Sequence, residues 1–146
     1  MKRIILVLCL FLWSSSVVFA QEWQTDFTLA KELSSKNNIP IVLVFQGSDW
    51  CAPCIKLDKE IWSTEEFTDY AKENFVMLQA DFPKKKKNSL SEEQVEKNKA
   101  LAEQYNPKGY FPFVVVLDKD GNVLGQTSYK KITPTAYIKL LESFKG

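Results

Sequence analysis

The sequence predicts an α/β domain in which helices flank a central mixed β-sheet. Three observations carry this reading. Residues 39–45, 75–80 and 113–117 are short apolar runs, the pattern of strands covered on both faces. Segments with apolar residues at helical spacing lie between and after them. Asp118-Lys119-Asp120-Gly121 supplies a hairpin turn after the third run, so the strand that follows returns antiparallel. A length of 146 residues, 45% apolar and 25% charged, suits a single globular domain of ordinary size.

Charge and composition exclude several function classes. The net charge is +1, from 19 basic and 18 acidic residues, so no general attraction to nucleic acid or membrane is implied. The chain has no histidine. Histidine triads, imidazole general bases and histidine-containing metal sites are therefore ruled out. The three cysteines are Cys9, Cys51 and Cys54. A structural zinc site needs about four protein ligands, which this set does not provide, so no metal is expected.

Residues 1–20 read as a signal peptide. Lys2 and Arg3 precede an apolar stretch over residues 4–13, and Val18-Phe19-Ala20 places small residues at a cleavage site. Ser14, Ser15 and Ser16 interrupt the stretch, which is short for a membrane span. Cys9 lies within it, outside any lipobox. A mature domain over residues 21–146 then carries only Cys51 and Cys54. A periplasmic or secreted chain with one such pair is a thiol–disulfide protein rather than a disulfide scaffold.

In the mature chain, Asp26 is the expected N-cap of a helix over residues 27–37, with Phe27, Ala30, Leu33 and Leu29 on its apolar face. The strand at 39–45 follows. Residues 55–62 have helical spacing, and Cys54, Leu57 and Ile61 share one face. Cys54 is therefore expected to point inward and Cys51 to be exposed at the tip. Ser63 with Glu66 reads as a capping box for a helix reaching about Asn74, before the strand at 75–80. Residues 82–90 form a loop with four consecutive lysines, Lys84, Lys85, Lys86 and Lys87. It is either a solvated loop or a docking site for an acidic partner. Ser91 with Gln94 caps the next helix, buried along Val95, Ala100, Leu101 and Tyr105 and ending near Asn106-Pro107. After the hairpin at 113–127, Thr133 and Pro134 start a last helix as N-cap and N1. Tyr137, Ile138, Leu140, Leu141 and Phe144 form its packing face.

The chemistry concentrates in Trp50-Cys51-Ala52-Pro53-Cys54, at a strand-to-helix junction. Two residues between cysteines in a helical turn bring the sulfurs within bonding reach. A helix N-terminus offers free N–H groups and a positive dipole end, which favour a thiolate. Pro53 fits a first turn, where its missing N–H costs little. This pentapeptide resembles the WCGPC-type active site of the thioredoxin superfamily. The longer stretch Gly47-Ser48-Asp49-Trp50-Cys51-Ala52-Pro53-Cys54, followed by Lys56-Leu57-Asp58, is similar to exported bacterial thioredoxin-like proteins. The resemblance runs over about residues 23–144, and the order of elements fits the thioredoxin fold with one extra helix in front.

The resemblance implies a mechanism. Cys51 is the nucleophile on a substrate disulfide, and Cys54 is the resolving cysteine that displaces the reduced substrate, leaving a Cys51–Cys54 redox-active disulfide. No cofactor is implied. The partners are protein or peptide disulfides and a protein electron donor, and the protein is expected to be a monomer with no stable membrane insertion after cleavage. Pro112 corresponds to the family's cis-proline, and Trp50, Tyr110 and Phe111 either rim Cys51 as a substrate surface or pack partly in the core. The chain departs from the pattern in lacking a buried acid along Val42-Leu43-Val44-Phe45-Gln46, in a longer Gly109-Tyr110-Phe111-Pro112, and in Phe113 where threonine is frequent. Asp49 either raises the Cys51 pKa by repulsion or faces solvent. Ala52-Pro53 between the cysteines leans toward a disulfide reductase. The alternatives are an isomerase or oxidase, and a client-binding adaptor.

Overall fold

The computed structural model describes residues 21–146; the signal-peptide expectation and Cys9 lie outside them. The elements are α1 (Phe27–Asn37), β1 (Ile41–Gln46), α2 (Ala52–Leu57), a π-helical turn (Asp58–Trp62), α3 (Glu65–Asn74), β2 (Val76–Asp81), a 3-10 turn (Lys86–Asn88), α4 (Glu92–Tyr105), β3 (Phe113–Leu117), β4 (Val123–Thr127) and α5 (Pro134–Ser143). The four strands form a mixed sheet in the order β2-β1-β3-β4. β1 runs parallel to β2 and antiparallel to β3, and β3 runs antiparallel to β4.

Alternation along the central strands divides the core in two. Val42, Val44, Met77, Val114 and Val116 face one side, against Leu57, Ile61, Trp62, Phe67, Tyr137 and Leu141 from α2, the π turn, α3 and α5. Ile41, Leu43, Phe45, Leu78, Val115 and Leu117 face the other side, against Ala30, Leu101 and Tyr105 from α1 and α4. Covering both faces of β1 and β3 is what makes their sequences apolar throughout. It also leaves the C-terminal end of β1 as the place where the chain emerges and turns into α2.

Side-chain caps set most helix starts. Asp26, Ser91 and Thr133 accept from the backbone N–H of Leu29, Gln94 and Ala136. Among the boundaries that differ from expectation, such as β2 beginning at Val76 rather than residue 75, two have a clear cause. β1 starts at Ile41 rather than residue 39. Asn38 ends α1 in the left-handed region at φ 53, Ser34 Oγ donates to Ile39 O, and Pro40 has no N–H for a ladder. The cap of α3 is Thr64, not Ser63: Thr64 Oγ1 accepts from Phe67 N, while Ser63 Oγ donates to Asp58 Oδ1. The π turn before it carries an extra residue and shifts the cap by one position. Leu29 and Ala100 are exposed rather than packed; Ala30 and Leu101 occupy the buried positions.

Candidate active site

The turn after β1 is tied back onto itself and onto the β2–α4 loop. Trp50 N and Cys51 N donate to Gly47 O at 3.2 and 2.9 Å. Cys51 is the N-cap of α2, and its Sγ accepts from Cys54 N at 3.3 Å. Pro53 lies in the first turn, as its missing N–H allows. Cys51 and Cys54 form a disulfide with Cα atoms 5.2 Å apart. Cys54, Leu57 and Ile61 are all buried on one face, as the spacing requires. Cys51 is not exposed as expected. It is 5% exposed against 3% for Cys54, because its sulfur turns back over the helix end toward Cys54. Ala52 and Pro53 form the exposed tip instead.

Each residue before the cysteines has a partner across the chain. Ser48 donates through its N–H and Oγ to Asp81, at 2.9 and 2.6 Å. Asp49 accepts from Lys84 N, Lys85 N and Asn88 Nδ2 at 3.0, 3.0 and 2.9 Å. Trp50 Nε1 donates to Phe82 O at 2.8 Å, and Lys84 Nζ sits 4.0 Å above the indole. Gly47 suits this packing, since a Cβ there would stand 2.2 Å from the Trp50 ring. Asp49 thus neither faces solvent alone nor points at Cys51: it clasps the lysine loop.

These hydrogen bonds, the Lys84 N–H first among them, lower the Asp49 carboxyl to about 2 from an ordinary 3.8. A lowered folded-state value means that the clasp contributes fully above the unfolded value and is lost as pH falls through the folded one. Amide shifts of Lys84 and Lys85, followed by NMR from pH 6 to strong acid, should move with a midpoint near 2. In Asp49→Asn that acid titration should vanish.

The second half of the site is the segment before β3. The Phe111–Pro112 peptide bond is cis, and Pro112 is buried. Phe111 meets Trp50 and Phe82 edge-on, each with centroids 5.5 Å apart. Trp50 and Phe111 therefore do come together, and Phe82 joins them. Trp50 is 39% exposed. Tyr110 is 53% exposed and leans toward Phe113 instead, so it is a surface ring and not core.

Part-buried polar contacts fix this segment from behind. Asn106, 2% exposed, accepts from Tyr110 N at 2.9 Å and donates to Tyr110 O at 2.8 Å. Ser128 Oγ donates to Pro112 O at 2.6 Å, and Tyr137 OH donates to Ser128 O at 2.9 Å. Burial holds the Tyr137 phenol well above its usual range, so it stays a donor. An open groove of about 720 Å³ is lined by Pro112 with Tyr110, Phe111, Ser128, Tyr129 and Phe144. Phe82 and Ser128 carry no local sequence signal. The one legible hint was the Asn106-Pro107 helix stop.

Comparison with known proteins agrees with this geometry. The Thioredoxin-like family matches residues 22–119. The Disulfide bond reductase DsbH of Chlamydia pneumoniae is 36% identical over 122 residues, covering 84% of this chain and 71% of that protein. A solved structure titled DsbH Oxidoreductase superposes with a TM-score of 0.79 at 34% identity, covering 86% of this chain and 85% of that one. A thioredoxin from Thermus thermophilus shares the fold alone, with a TM-score of 0.62 at 15% identity and coverage of 86% and 87%. Helices on both faces of a mixed sheet, a Cys-x-x-Cys disulfide where the central strand turns into a helix, and these relatives agree: the chain belongs to the thioredoxin superfamily, as a thioredoxin-like thiol–disulfide oxidoreductase.

Proposed function

We propose that the protein is an exported disulfide reductase, with residues 1–20 as its leader and residues 21–146 as the working domain in the periplasm or outside the cell. The observation that carries this reading is the Cys51 sulfur at the start of α2, accepting the Cys54 N–H and bonded to the Cys54 sulfur. In the reduced protein the same N–H and helix end stabilise a Cys51 thiolate. That thiolate attacks one sulfur of a substrate disulfide; the other leaves as a thiolate and takes up a proton. Cys54 gives up its proton and attacks Cys51 Sγ, expelling the second substrate sulfur as a thiolate that takes up a proton. Two electrons pass to the substrate, and the protein ends in the disulfide form. A protein dithiol returns the electrons.

Three features support the geometry of this cycle. Cys54 is held inward with its backbone N–H on Cys51, so the resolving sulfur starts beside the mixed disulfide. Asn106 takes both main-chain polar groups of Tyr110, and Ser128 takes Pro112 O. The main chain of Phe111 is then the part of this segment left to pair with an extended client, in the manner of strand addition. Trp50 and Phe111 supply the apolar rim beside it.

The direction rests on the residues between the cysteines. Ala52-Pro53 includes no histidine to stabilise the thiolate further, and DsbH is named a disulfide bond reductase. The expected potential is near that of thioredoxin, roughly −270 mV, rather than the roughly −120 mV of a strong oxidant. Equilibration against glutathione at neutral pH, read by thiol alkylation, tests this. Persistence of the disulfide until strongly reducing ratios is the expected result. A dominant dithiol in mildly oxidising glutathione would assign the protein to oxidation or isomerisation instead.

A further inference from the structure

The four lysines at 84–87 are the strongest local charge on a chain of net charge +1. Among the described residues, none of the four makes an ion pair; the lysines that do are Lys72, Lys97, Lys99 and Lys145. All four are exposed. The nearby carboxylates hydrogen-bond to groups other than the lysine ammoniums, although the Asp49 charge still acts on Lys85. Asp49 spends its oxygens on the main chain of Lys84 and Lys85 and on Asn88, and Asp81 spends its own on Ser48.

The loop that carries them is built rather than loose. Asp49 holds it at both ends, and a 3-10 turn, Lys86–Asn88, shapes its middle. Its first lysine lies on the ring of Trp50, the residue before Cys51. A purely solvated loop has no need of this attachment to the redox turn. The attachment keeps unpaired ammonium groups beside the place where a client disulfide must sit.

The geometry points to the loop at 84–87 as an electrostatic docking rim for client polypeptides that carry acidic residues close to the disulfide they present. This rests on the reductase reading above and names its substrate class. The charge complementarity is local. An extended client advances ~3.3 Å per residue. With Lys84 stacked on Trp50, aspartate or glutamate a few residues from the attacked cysteine comes within the ~8–10 Å over which charges attract in moderate salt. Such a rim acts chiefly on the rate of encounter.

The test uses the pre-reduced mature protein in single-turnover reactions with three peptide disulfides of one scaffold, flanked by glutamate, glutamine or lysine, and with neutral hydroxyethyl disulfide. The variant is Lys85→Gln/Lys86→Gln/Lys87→Gln, which leaves Lys84 on Trp50. For the acidic peptide, the wild-type rate constant should exceed that for the basic peptide, and the variant should lose about three- to tenfold at low salt, at or below the low end of electrostatic steering. The difference should close in high salt, with hydroxyethyl disulfide unchanged throughout. Equal rates for all three peptides in the wild type, or an equal loss for all four substrates in the variant, would overturn the docking rim while leaving the reductase reading intact. Retention of the wild type on anionic phosphatidylglycerol vesicles through these lysines, without peptide discrimination, would also overturn it, in favour of a membrane surface. Failure of the wild type to reduce even hydroxyethyl disulfide would remove both readings together.

Discussion

Cys51→Ser is expected to abolish catalysed disulfide exchange, and Cys54→Ser to halt it half-way with the client held on Cys51. The two outcomes differ because the two sulfurs have different surroundings. Cys51 Sγ is the cap of α2 and lies at the chain's turn out of the sheet. Serine is a preferred N-cap, so Cys51→Ser keeps the helix start while removing the proposed nucleophile. Activity should fall to the uncatalysed rate with the circular dichroism spectrum unchanged. In Cys54→Ser, the thiolate still forms and still attacks, but no second sulfur resolves the product. Incubation with a disulfide-bonded client, followed by non-reducing electrophoresis, should show a dithiothreitol-sensitive adduct in near-stoichiometric yield. An adduct equally abundant in Cys51→Ser would reverse the assignment of the two roles.

Trp62→Ala is expected to be the most destabilising single change. Trp62 is buried at the end of the π turn and packs edge-on against Phe67, Tyr137 and Trp23, with centroids 4.8, 5.3 and 6.1 Å away. Removing such a ring costs about 3–5 kcal/mol, lost burial and residual cavity together. Domains of this kind have only about 5–15 kcal/mol in total. The urea midpoint should fall sharply at an unchanged slope. Trp62→Phe should cost much less. The Trp62 Nε1–H is buried with no acceptor among the described residues, so phenylalanine removes an unpaired donor while filling most of the space. If the two variants lose equal stability, the aromatic cluster is not what holds α3 and α5 to the sheet.

The fold was legible because its signals are local. The caps at Asp26, Ser91 and Thr133, the three apolar runs and the Asp118–Gly121 turn each act within a few residues. The cysteine pair was legible for the same reason. What the sequence hid was set by pairings between distant positions. Asp49 engages residues 35 to 39 positions further on, and Trp50 bonds to Phe82. No spacing rule joins them. The π turn was hidden because one extra residue in a helix leaves the apolar face of Leu57 and Ile61 intact. The exposure of Cys51 was misjudged because a bond between the two sulfurs turns the first one inward, which helical periodicity does not describe.

The two margins of the sheet differ in kind. At β2, Gln24 makes a parallel bridge to Leu78: its N–H donates to Met77 O at 2.8 Å and its O accepts from Gln79 N at 2.9 Å. The chain thus caps its own border strand within a few residues of the expected leader-cleavage point. At β4 no such cover exists among the described residues, and Val123 and Leu124 lie exposed there. Self-association by strand pairing therefore meets an uncovered border at β4 and, at β2, a border covered at the one bridge that Gln24 makes. Trimming through Gln24 would free Met77 O and Gln79 N and leave the outer edges of both border strands without cover from Gln24 or any other strand among the described residues.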